Sequence, residues 1–330
     1  MKAAEILNRI VFVGGPPRSG TTFAAKSLNL HPGFVAAIDD HVYECWGLYC
    51  YRDKTGLVQE LRTRRLTPED AKNRLRNHLF ADGRLVGAAP SLKTAGCPPV
   101  STNRSPAPGS VRSVLDESLE RYEIPLERFS RDWRLCLKSP EITHVLPQLA
   151  SCFPGAQFVL VYRPVMEIAE SMYRIGNLVK RFPVFHKRWI DEKGKSGQLI
   201  PPPVVPAEWD NLWRNASDFQ RCVIYAAGYL RGLLEGTREL SPSNYLIFNH
   251  AHLRNSPYQT FQQLARFLDV DASGFQTAVT QVQADVPSSR PELVEEYSSI
   301  EAALALKRLL RQIEFLISSH RSYQFVDRHS

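Results

Sequence analysis

The stretch Ile10-Val-Phe-Val-Gly-Gly-Pro-Pro-Arg-Ser-Gly-Thr-Thr22 decides the fold. A β-branched and aromatic run leads into a Gly/Pro turn, and a helix-compatible segment follows directly. A buried strand that aims a turn at a helix N-terminus binds phosphate well, because backbone N–H groups and the helix dipole converge on one anion. The spacing Gly15-x-x-x-x-Gly20 fits such a loop, yet Thr21 stands where a nucleoside-triphosphate loop carries lysine. Arg18 is the only cation between the two glycines. The stretch suits phosphate, but not the β/γ-phosphates of ATP.

Working outward, residues 10–13 read as a strand and 21–30 as a helix that stops at His31-Pro32-Gly33, where proline and glycine cannot continue it. Residues 34–38 read as a second strand ending at Asp39-Asp40-His41. The pattern over 57–80 is helical, and Thr67-Pro68-Glu69-Asp70 supplies an N-cap, a proline at the first helical position and acids in the first turn. Residues 90–112, rich in Pro, Ser and Gly, predict a long loop. A strand over 133–138 ends in Lys138-Ser139-Pro140, and a helix to about residue 150 follows.

Gln157-Phe-Val-Leu-Val-Tyr162 is the strongest buried strand, closed by Arg163-Pro164. Residues 180–206 form a second irregular region, basic and then proline-rich, while 209–235 and 300–318 read as long amphipathic helices around a strand at 245–249. This alternation predicts an α/β fold with a central parallel sheet flanked by helices on both faces. No linker divides the chain, so one domain over 1–330 is expected, with irregular substrate-side insertions around 90–112 and 180–206. Ligands of such sheets bind beyond the strand C-termini, the edge at which the 14–22 loop, Asp39, Lys138 and Arg163 would emerge.

Composition narrows the classes. The 330 residues are 43% hydrophobic and 23% charged, as in an ordinary globular chain. No apolar run approaches the ~20 residues of a membrane span, and the N-terminal residues carry no apolar signal core, so a cytoplasmic protein is expected. A net charge of +7 is compatible with anionic ligands, but no run of five basic residues points to nucleic acid. The six cysteines include no CxxC pair and no histidine at zinc spacing, which disfavours disulfides and metal; Cys136 and Cys152 read as buried thiols.

Three features reinforce the loop. Arg18-Ser19-Gly20-Thr21-Thr22 gathers a cation, three hydroxyls and a helix N-terminus; Arg163 closes a strand with Ser171 eight residues on; Lys138 closes another. Gly15-Pro-Pro-Arg-Ser-Gly-Thr-Thr22 resembles the 5′-phosphosulfate loop of sulfotransferases that use 3′-phosphoadenosine 5′-phosphosulfate (PAPS). Tyr162-Arg-Pro-Val-Met-Glu-Ile-Ala-Glu-Ser171 is similar to their 3′-phosphate element, with arginine and serine at the family spacing. Leu137-Lys-Ser-Pro140 and Phe153-Pro-Gly-Ala-Gln-Phe158 fit the pattern between them, and Phe248-Asn-His-Ala-His-Leu253 with Phe267-Leu-Asp269 resembles it weakly.

The resemblance implies PAPS as donor, adenosine 3′,5′-bisphosphate as product and no metal, which accounts for the missing lysine. Pro17, Arg18, Ser19, Gly20, Thr21 and Thr22 would cradle the 5′-phosphosulfate, and Arg163 and Ser171 would hold the 3′-phosphate. Lys138 would stabilise the bridging oxygen. Asp39 falls where tyrosylprotein sulfotransferases, which share the Pro-Arg-Ser-Gly-Thr-Thr and His-Pro elements, place a catalytic glutamate; it is one carbon shorter, and Asp40 and His41 are its rivals as general base.

The acceptor would be a small molecule or glycan, attacked at a hydroxyl before an amine, with no nucleic-acid partner. A P-loop kinase and a non-catalytic nucleotide-binding protein are the other classes. His144, His250 and His252 read as structural, and Trp209 and Trp213, at helical spacing, as core.

Overall fold

The computed structural model describes residues 3–38, 67–88, 99–100, 121–174, 202–282 and 291–325, apart from 83, 203 and 304. The chain opens with α1 (Ala3–Leu7), β1 (Val11–Gly14), α2 (Thr21–Leu30) and β2 (Phe34–Ile38). Next come α3 (Pro68–Leu79), β3 (Phe80–Ala81), β4 (Arg84–Ala88), β5 (Pro99–Val100), β6 (Arg121–Pro125) and β7 (Arg134–Lys138). A 3₁₀ turn at Pro140–His144 leads to α4 (Leu146–Cys152), β8 (Gln157–Tyr162) and α5 (Val165–Arg174). The described chain ends with α6 (Asp210–Asn215), α7 (Asp218–Thr237), β9 (Tyr245–Asn249), α8 (His250–Asn255), α9 (Pro257–Leu268), α10 (Gln276–Thr280), α11 (Pro291–Ala303) and α12 (Leu306–Phe325).

One sheet runs β5-β6-β4-β2-β7-β1-β8-β9, with β3 paired to β4. The five strands β2, β7, β1, β8 and β9 are parallel, as expected. β4 joins β2 antiparallel, and β6, β5 and β3 extend that edge antiparallel too. That antiparallel half is a departure from the sequence reading. At 99–100 the predicted loop is interrupted by β5, which pairs with β6.

Period-two alternation sends the parallel strands' side chains to both faces. Phe12, Val35, Leu137, Phe158 and Ile247 enter a core shared with α1, α3, α4, α5, α7, α11 and α12. Val11, Val13, Ala36, Val161 and Phe248 enter a second core with α2, α8, α9 and α10. Helices thus cover both faces. Trp213 is 1% exposed within the first core, and Cys136, Cys152 and Cys222 are buried free thiols.

Capping decides several boundaries. Thr67 and Asp70 form the expected reciprocal box at the start of α3. The predicted helix over 209–235 is two helices instead, because Ser217 and Gln220 form a second such box that starts α7. The predicted helix over 300–318 is likewise broken, at Ala305, whose φ of 49° is left-handed. Among the described residues, no helix is long and apolar enough to cross a membrane.

Candidate active site

The C-terminal ends of the parallel strands lie level. Val13 and Ile38 both pair in register with Lys138, Gly14 with Leu160, and Tyr162 with Asn249. The loop after β1, Lys138, Arg163 and the start of α8 therefore share one edge. Asp39, Asp40 and His41, which follow Ile38 in sequence, lie outside the described residues.

Between β1 and α2 the chain turns through Gly15 (φ 140°), Arg18 (φ 69°) and Gly20 (φ 105°). Gly15 tolerates no side chain, since a Cβ there would stand 2.4 Å from the Val161 carbonyl oxygen. Gly20 is the N-cap of α2, and no side chain caps the helix. First-turn N–H groups lack partners inside any helix, and no side chain supplies one here. Ser19 is fully buried, and its Oγ has no hydrogen-bond partner among the described residues. A buried, unsatisfied hydroxyl beside an uncapped helix N-terminus fits an anion, which would satisfy both.

The structure brings together three of the predicted residues from distant parts of the chain. Arg18 Nε donates to Ser171 Oγ at 3.3 Å, and Arg163 Nη1 donates to the Arg18 carbonyl at 3.3 Å. Thr21 is buried, Thr22 and Pro17 half-buried, and Arg18 exposed. Lys138 is 4% exposed. The 3₁₀ turn after it clamps onto the end of β1: a Cβ at Gly14 would lie 2.5 Å from Ile142 Cγ1. His144, one step further, packs on Tyr229 with ring centroids 5.0 Å apart, as a structural histidine would. It fits against α7 only because residue 232 is glycine, where a Cβ would come within 2.3 Å of its Nδ1.

Other residues join the site that the sequence reading left aside. His250 lies against the loop, its Cδ2 3.1 Å from where a Gly20 Cβ would be. Glu167 receives Arg163 Nε at 2.9 Å on one carboxylate oxygen and Arg254 Nη2 at 3.1 Å on the other. His250 directly follows a strand end, the same signal that marked Arg163. Tyr162 is no candidate base: burial first, then Glu314 and Glu167, push its phenol up to about 12.

The family model described as "Sulfotransferase family" matches residues 11–192, more than half of the chain and all of the geometry from the loop to Ser171. No curated protein matches. Among solved structures, a sulfotransferase from Alicyclobacillus acidocaldarius is 14% identical, with 94% of this chain and 98% of that one covered, at a TM-score of 0.46. The sulfotransferase domain of the Synechococcus PCC 7002 olefin synthase is 16% identical over 87% and 82%, at 0.41. A sulfotransferase of Mycobacterium avium is 13% identical over 92% and 78%, at 0.45. With a phosphate-type loop feeding α2, an arginine and serine meeting it from β8 and α5, and a family model spanning both, the chain belongs to the sulfotransferase family.

Proposed function

We propose that the chain transfers a sulfuryl group from PAPS to the hydroxyl, less readily the amine, of a small-molecule or glycan acceptor. The observation that carries this reading is the meeting of Arg18, Arg163 and Ser171 beside an uncapped helix N-terminus. Two phosphate-suited sites, one at the loop and one at the start of α5, match a nucleotide phosphorylated at both 3′ and 5′ positions. The residues present fit that group, since the loop offers backbone donors, the Ser19 hydroxyl and a guanidinium, and carries Thr21 where a γ-phosphate loop carries lysine.

Bound there, PAPS would supply an activated sulfuryl group, whose bond to the 5′-phosphate oxygen breaks as the acceptor oxygen bonds to sulfur. The chain's own residues position and neutralise, as in phosphoryl transfer. Thr21 and Thr22, with the first-turn N–H groups of α2, hold the 5′-phosphate end. Arg18 balances charge gathering on the leaving phosphate, and Lys138, buried at the end of β7, does so at the bridging oxygen. Arg163 and Ser171 hold the 3′-phosphate; a planar guanidinium suits such an anion. Asp39, Asp40 or His41 takes the acceptor proton.

Thermal-shift measurements on the full chain test the donor. Stabilisation by adenosine 3′,5′-bisphosphate, and none by ATP with Mg²⁺, is expected. The reverse pattern would indicate a kinase and end this reading. Radiolabelled PAPS with alcohol, phenol and glycan acceptors then identifies the class that accumulates label.

A further inference from the structure

Arg163, Glu167 and Ser171 follow one another at intervals of four, Arg163 in the turn that leads into α5 and the other two on one face of that helix, where Arg163 pairs with Glu167. The middle member of a row that offers an arginine and a serine to phosphate is thus a carboxylate. Left alone, it would repel the anion. It is not alone: Arg163 Nε binds one of its oxygens at 2.9 Å and Arg254 Nη2 the other at 3.1 Å, with all three side chains about 15–16% exposed. Arg163 reaches Glu167 from the turn between β8 and α5, whereas Arg254 arrives from α8, which follows the neighbouring strand β9.

We propose that Glu167 is the positioning residue of the 3′-phosphate site, and that Arg254, held beside Arg163, is a second guanidinium for that phosphate. The inference rests on the PAPS reading above. Two guanidiniums so close would repel each other and splay; the shared carboxylate offsets one charge and fixes both planes. Arg163 then has Nε on Glu167 and Nη1 on the Arg18 carbonyl, while its Nη2 has no partner among the described residues. Two guanidiniums against one carboxylate leave the pair Arg163 and Arg254 net positive, as a phosphate monoester of about −1.5 to −2 requires of its site.

Isothermal titration of the full-length protein with adenosine 3′,5′-bisphosphate and with adenosine 5′-monophosphate tests this, because only the first carries the 3′-phosphate. Simple electrostatics says that Glu167→Gln, by deleting a nearby negative charge, tightens binding of the bisphosphate. The positioning role says the opposite: about ten-fold weaker bisphosphate binding, with the monophosphate changed less than about two-fold. Arg254→Ala should show the same selective loss, and Arg254→Lys a smaller one.

Unchanged or tighter bisphosphate binding by Glu167→Gln overturns the proposal, as does equal loss of both nucleotides. Should that variant not fold, Arg254→Ala reads the same fork from its other side, and no selective loss there overturns it as well. A wild-type chain that binds both nucleotides equally would overturn the PAPS reading and this proposal together. Wild-type preference that survives both substitutions overturns this proposal alone.

Discussion

At Arg18 the backbone adopts φ 69°, a left-handed conformation that costs a non-glycine residue about 1–2 kcal/mol. Strain of that kind persists only where the side chain or its surroundings require it. Here the carbonyl accepts from Arg163 and the guanidinium donates to Ser171, so the bend sets both contacts. Arg18→Gly separates strain from chemistry. Glycine accepts the φ freely, so urea unfolding should move by no more than about 1 kcal/mol in either direction. Turnover should nonetheless fall about 10²- to 10³-fold, the usual effect of deleting one preorganised charge partner. A large stability loss with normal turnover would make Arg18 a structural residue. Gly15→Ala should instead lower stability and turnover together, because its Cβ meets the Val161 carbonyl at 2.4 Å and distorts the loop. Arg18, Arg163 and Ser171 stood out in the sequence at strand ends and through the resemblance to sulfotransferase motifs, and the fold brings the three together. Arg254 did not, because it reaches Glu167 through the pairing of β8 with β9 and the packing of α8, which no local pattern encodes; Glu167, four residues after Arg163, and His250, directly after a strand end, carried local signals that went unread.

Among elements, α2 is fixed at both ends by different means. Its N-terminus is left uncapped at the loop, and its C-terminus is latched by His31. That ring accepts the Gly33 N–H at Nδ1 and meets the Asp271 carbonyl with Nε2, both at 2.9 Å. It also packs against Phe34 and Phe275, at 5.3 and 4.7 Å between ring centroids, and is 4% exposed. His31→Ala removes two hydrogen bonds and leaves a cavity, so stability measured by urea denaturation should drop by about 2–4 kcal/mol. The loop end of the ten-residue helix lies ~15 Å away. Nucleotide affinity of the folded variant should therefore stay within about two-fold. A selective loss of affinity would instead mean that His31 couples to the loop. The stop at His31-Pro32-Gly33 was readable in sequence, as were β1, β7, β8 and β9, whose nearly unbroken apolar runs suit strands buried on both faces. The antiparallel strands escaped notice because β3 and β5 are two residues long and β6 mixes Arg121 and Glu123 with apolar neighbours. At Ser217 the signal was present, in Ser-x-x-Gln, but the apolar period runs on across the break.

Across the whole molecule, the two cores carry ionisable groups that folding keeps protonated. Burial pushes the Cys222 thiol up to about 12, with Asp218 adding to it, and the Tyr162 phenol up to about 12. Burial also raises Cys136, in the core on the opposite face of the sheet, and Tyr297, whose shift Glu301 and Tyr162 increase. Each folded-state value lies above its unfolded one, so the folded chain binds more protons in the interval between. Stability is then fully present below the unfolded values, near 9.0 for thiols and 10.0 for phenols, and is lost as pH rises toward about 12. The slope approaches about 1.4 kcal/mol per pH unit for each group held neutral. Urea midpoints, measured under reductant, should be flat from this source below pH 9, decline from 9 to 10 as thiols titrate in the unfolded chain, and decline more steeply once phenols join. Because the groups sit on both sides of the sheet, alkaline unfolding should be one cooperative event, with thiolate and phenolate absorbance rising together with loss of helix. Cys222→Ala separates the contributions: it lowers stability at pH 7 by opening a small cavity, yet makes the decline between pH 9 and 10 shallower than in the wild type. An unaltered slope in that window would mean that the Cys222 thiol ionises without unfolding, and that the helix α7 core admits water.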